Sequence, residues 1–135
     1  MKNNTPKMFR YGNIVNRIYF AFSIVFLVVG LISMIVGAVQ ENGQALLDSG
    51  SKLFGYGIHL LVATILCNIF VINKAEKQVE ENFYGSLAPY INAIVFGVIS
   101  FNPFYVIAGI FGIVLNGQNK NKPEQVEENK EEVQE

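Results

Sequence analysis

The chain has 135 residues, 51% of them hydrophobic and 16% charged, with a formal net charge of −1. That balance provides no basic patch for nucleic acid, and a single cysteine allows neither an internal disulfide nor a cysteine-based metal framework. The charges are unevenly spread: Lys2, Lys7, Arg10 and Arg17 come first, and six glutamates fall within residues 124–135.

Residues 1–17 read as a basic segment whose cations hold it in the cytoplasm, as at inward-facing ends of membrane helices, and contact anionic headgroups. Residues 18–39 follow without one charged side chain. A helix of about 20 apolar residues crosses the roughly 30 Å hydrocarbon core of a bilayer, so this run is a first membrane helix. It is longer than the apolar core of a secretory signal, about 7–15 residues, and the spacing predicts a retained helix. Ser23, Gly30 and Gly37 recur every seven residues, with Ser33 beside them, forming one small-residue face. Such faces let helix backbones approach closely in lipid, where apolar burial offers little drive for association.

Residues 40–52 form an outer loop, and residues 53–73 a second membrane helix. Here Gly55, His59, Ala63 and Cys67 follow one another at four-residue steps, and the glycine and alanine join the predicted packing residues. His59 and Asn68 are the polar groups of this span with most to offer. A histidine at depth is a candidate for proton handling, yet no carboxylate accompanies it in the apolar runs. A neutral His59 and an Asn68 that hydrogen-bond neighbouring helices are the leading expectation, ahead of proton handling.

Residues 74–82 return to the cytoplasm with Lys74 and Lys77. The next uncharged run, residues 82–119, is too long for one span. Its centre, Ser100-Phe101-Asn102-Pro103-Phe104, pairs a favoured helix N-cap with a favoured first helical residue. Two readings compete: one kinked span, giving three in all, or two short helices over residues 83–101 and 103–117, giving four. The four-span reading puts Lys120 and Lys122 inside, with residues 118–135 as a disordered acidic tail in the cytoplasm. It also expects Phe101, Phe104 and Tyr105 at the outer interface with Phe54 and Tyr56, and Tyr19, Phe83 and Tyr84 at the inner one. Ala93 with Gly97, and Ala108 with Gly112, supply further small-residue packing pairs.

The run Asn102-Pro103-Phe104-Tyr105-Val106-Ile107-Ala108-Gly109-Ile110-Phe111-Gly112 resembles the closing segment of an uncharacterised family of small bacterial membrane proteins. That resemblance implies a Gly-rich four-span bundle with a short charged tail, and it carries no catalytic residues with it.

The sequence therefore predicts an all-α, polytopic transmembrane bundle of four spans, with three as the alternative, both ends cytoplasmic, in the cell membrane. No nucleophile–base, metal-ligand or phosphate-loop pattern occurs, so neither an enzyme nor a cofactor is expected. The expected partners are the lipid bilayer and either a second copy or another membrane protein, with no nucleic acid. An accessory, regulatory or protective membrane component is the leading expectation. An oligomeric, holin-like pore-former stands second and a small exporter third.

Overall fold

The computed structural model describes residues 4–81 and 85–120, and every element among them is helical. Helix α1 runs over Thr5–Val39, with Pro6 in its first turn, where a missing N–H costs nothing. Helix α2 runs over Gln44–Cys67, continues as a π-helical segment over Asn68–Glu76, and ends in α3, Lys77–Glu81. Helices α4, Ala88–Ile99, and α5, Pro103–Lys120, form a second hairpin. The helices at Thr5–Val39 and Gln44–Glu80 are both long and apolar enough to cross a membrane.

These helices outrun the apolar stretches of the sequence. The basic N-terminal segment is helical from Thr5, and the outer loop shrinks to a turn at residues 40–43. Most of residues 74–82 continues the α2 rod. Phe83 and Tyr84, and the acidic tail from residue 121 onward, lie outside the described residues.

Glycine sets the contact between α1 and α2. Phe9, Asn16, Ser23, Gly30 and Gly37 are buried at seven-residue intervals on α1, and Gly50, Gly57 and Thr64 keep the same interval on α2. A seven-residue repeat keeps one seam facing its partner as two helices wind left-handedly. The register sets Gly37 against Gly43, Gly30 against Gly50, Leu27 against Gly57 and Asn16 against Thr64. A Cβ at Gly30 would stand 2.7 Å from the Phe54 nitrogen and 2.9 Å from the Gly50 oxygen; one at Gly50 would stand 2.8 Å from the Gly30 oxygen. The backbones touch. The same register sets Asp48 and Lys52 beside the middle of α1's charge-free run, and Arg17 beside Ala63 of α2.

Among the described residues, the large apolar side chains that are wholly buried lie in the other half of the molecule. There the α4–α5 hairpin lies against the lower part of the α1–α2 rod, and Phe9, Cys67, Val71, Ala75, Val79, Tyr90 and Tyr105 share one core. Cys67, Val71, Ala75 and Val79 are spaced by four. In an α-helix that spacing rotates by about 40° per step and leaves the face. The wider π turns absorb the drift and hold the stripe on the core. Upward into regular α2 the drift is not absorbed. Ala63 is buried, but Gly55 and His59 have turned outward, and a Cβ at Gly55 would meet open space.

The α4–α5 turn closes with the Phe101 N–H donating to the Val98 carbonyl (3.2 Å) and the Asn102 N–H donating to the Gly97 carbonyl (2.8 Å). Those two bonds end a helix by a left-handed residue, a place usually given to glycine. Here Phe101 takes it, at φ 53°. The Asn102 side chain does not serve as the expected N-cap of α5. Its Nδ2 instead donates to the Gly12 carbonyl of α1 (2.8 Å), leaving Oδ1 without a partner.

This docking corrects the predicted aromatic belts. The Tyr19 hydroxyl donates to the Phe101 carbonyl (3.1 Å), and Tyr11 packs its ring on Phe104 at 5.8 Å. Tyr19 and the hairpin tip thus share one level instead of opposite interfaces. The cause is the helical extension of α1 down to Thr5, which gives the hairpin a surface beside the apolar run's start.

Candidate functional site

A polar layer forms where the hairpin meets the rod. Tyr105, wholly buried on α5, lays its ring over Gly12 of α1, where no side chain stands in the way. Its hydroxyl donates to Asn13 Oδ1 (2.7 Å), and Asn13 Nδ2 donates to Glu76 Oε2 (2.8 Å). Three elements are linked by this one chain of bonds. Each donor there meets an acceptor, so the chain is a clasp between helices. One turn further along α1, Asn16 Nδ2 donates to the Thr64 carbonyl (3.2 Å) across the rod's seam. Its Oδ1 is buried and has no partner.

Beside that seam a groove of about 290 Å³ opens between α1 and the α2 rod. Asn13, Asn16, Arg17, Thr64 and Asn68 supply its polar wall, and Phe20, Ile65 and Ile72 its apolar one. The α1 residues recur at three- and four-residue steps, as do those of α2, so each helix presents one face to the groove. Arg17 and Asn68 are exposed. No ion pair of Arg17 occurs among the described residues. The groove thus brings together an exposed cation, several amides and an apolar wall.

His59 stands elsewhere, exposed on a shelf of about 520 Å³ above the hairpin tip, with Lys52, Gly55, Tyr56 and Phe101. Its ring lies 6.1 Å from that of Phe101, and no carboxylate lines the shelf. Of the small residues, Ser23, Gly30, Gly37, Ala63, Ala93, Gly97, Ala108 and Gly112 are buried, Ser33 is half-buried, and Gly55 is exposed. Ala93 and Gly97 of α4 meet α5, and a Cβ at Gly97 would stand 3.0 Å from the Val106 nitrogen.

Sequence reasoning passed over Asn13 and Asn16, read Tyr105 as an outer-interface aromatic, and read Arg17 as an orienting charge and a contact for anionic headgroups. The signal was present. Continuing the seven-residue repeat of Ser23, Gly30 and Gly37 backward leads to Asn16 and Phe9, extending the seam into the basic segment.

Comparison of the chain with protein-family models, with curated proteins and with solved structures finds no match.

Proposed function

We propose that this chain is a multi-pass protein of the cell membrane, acting without catalysis as an accessory, regulatory or protective component. The observation that carries the reading is the surface of α1. Ile24, Val25, Val28, Leu31, Ile32 and Ile35 are all exposed, within a run that has no charge from residue 18 to residue 39. An apolar surface of this extent needs lipid or a protein partner to cover it. In this reading α1 and α2 cross the bilayer, and the α4–α5 hairpin rises from the cytoplasmic side to the level of Tyr19, at the start of the charge-free run, and returns. Both ends then lie in the cytoplasm. The family resemblance of residues 102–112 agrees with such a bundle.

A cysteine-free background, Cys67→Ser, tests the topology. Gln134→Cys in that background should resist a membrane-impermeant thiol reagent on intact cells, while Gln44→Cys should react. Labelling of residue 134 in intact cells would overturn the returning hairpin and favour three spans.

One observation favours the pore-forming reading. Beside α1's apolar surface, the first turns of α2 expose Gln44, Asp48, Ser51 and Lys52, so this half of the rod has one greasy and one polar side. Copies assembled with the polar sides inward would enclose a water path. Induced expression should then admit an impermeant dye. Unchanged dye exclusion and growth would eliminate that reading.

A further inference from the structure

We propose that the groove between α1 and the α2 rod binds the phosphate headgroup of an anionic, hydroxyl-bearing phospholipid. The inference deepens the membrane reading above and rests on it. Arg17 provides the charge. It is exposed, has no ion pair among the described residues, and follows directly on Asn16 in the polar wall. A guanidinium presents a fork of donors that matches phosphate oxygens, and basic recesses between membrane helices on the cytoplasmic side suit anionic headgroups. Arg17 precedes the charge-free run that begins at Ile18, which is where a headgroup meets the bilayer.

Asn16 is the independent sign that something is to be received here. It is 5% exposed, and its amide orientation is fixed because Nδ2 must face the Thr64 carbonyl. That leaves Oδ1 as a buried acceptor with no donor, closed off behind the wall of the groove that Asn16 lines, so a small shift of the wall must admit the donor. Buried acceptors are nearly always satisfied, and a headgroup hydroxyl is the missing donor type. Asn68, on the facing helix, adds an amide able to donate to phosphate or accept from hydroxyl. Of the groove's apolar wall, Phe20 lies on the membrane side of Arg17, where an acyl chain would run, while Ile65 and Ile72 lie on the other side of it in the register of the two helices. A free sugar phosphate would use Arg17 and the amides but leave that wall uncovered, which is why a lipid is the occupant argued here.

The test uses the full chain purified in detergent and native mass spectrometry. Phosphatidylglycerol and phosphatidylcholine of the same acyl composition are offered in equal amounts. Wild type should retain phosphatidylglycerol in preference by about ten-fold, the order of one charge-assisted contact. Arg17→Gln should abolish the preference, and Arg17→Lys should keep part of it. Arg10→Gln, one groove away, should leave it intact. Because Arg17 is exposed, its variants should keep the wild-type helical circular dichroism, and Asn68→Ala gives a second, independently folded reduction. Equal retention by wild type and Arg17→Gln would overturn the site. So would undiminished binding to soluble glycerol phosphate with no preference between the lipids. Cell fractionation separates the two levels of failure. A chain found in the soluble fraction refutes the membrane reading itself, whereas a membrane-bound chain without the preference refutes only the groove.

Discussion

Replacing Gly30 by alanine should weaken the fold, although alanine is the better helix former. Helix propensity alone favours alanine over glycine by about 1 kcal/mol. At Gly30 the new methyl would stand 2.7 Å from the Phe54 nitrogen and 2.9 Å from the Gly50 oxygen, both backbone atoms that cannot rotate away. The helices must part, and overpacking of this kind costs about 1–3 kcal/mol. Gly55 supplies the control. It lies in the middle of α2, so the propensity gain is the same, but its Cβ would meet nothing within 4 Å. Gly55→Ala should therefore gain about 1 kcal/mol, and Gly30→Ala should fall below it by about 1–3 kcal/mol. Equilibrium unfolding in mixed micelles, followed by circular dichroism, measures both on one scale. If Gly30→Ala were stabilised as much as Gly55→Ala, the backbone contact between α1 and α2 would be refuted, and the seven-residue seam with it.

The hairpin turn, the clasp and the core each give a further expected outcome. Phe101→Gly should stabilise the hairpin by about 1 kcal/mol, since a left-handed residue other than glycine costs about 1–2 kcal/mol, whereas Phe101→Ala, equally strained, should gain nothing. Tyr105→Phe should cost about 0.5–1.5 kcal/mol by removing the hydroxyl bond to Asn13, and a double-mutant cycle with Asn13→Ala should recover that energy as coupling. A cycle that adds without coupling would show that the clasp is not formed. Cys67 is wholly buried with its thiol directed at the Phe96 carbonyl (3.4 Å), so a maleimide should label it only after unfolding in SDS. Rapid labelling of the folded chain would contradict the core.

The sequence made the helices legible and hid how they meet. Ser23, Gly30 and Gly37 stood out because a seven-residue repeat of small residues survives inspection of one helix alone. Its partner repeat at Gly43, Gly50 and Gly57 went unread because Gly43 and Gly50 fall where polar residues suggested a loop. Gly55, His59, Ala63 and Cys67 formed a tempting alternative, but a four-residue repeat drifts around a regular helix, and only the π-helical stretch beyond Cys67 stops the drift. Nothing local announces that stretch. The polar layer was hidden for a different reason. Tyr105 and Asn13 are 92 positions apart, and each alone reads as an interface residue or an incidental amide.

If the two long helices cross a bilayer as proposed, the offset between them has a consequence for the surrounding lipid. In their register, Arg17 and Lys52 are separated along the rod by about eleven residues, roughly 16 Å, or half the thickness of a typical hydrocarbon core. Both side chains are exposed, with long stems that can carry their charges outward to opposite surfaces. In the proposed membrane reading the two cations would act as the marks of a ruler, and lipid in contact with this rod would be drawn thinner than the surrounding bilayer. Such a protein would collect where acyl chains are short, and it would carry a local dent in the membrane wherever it went.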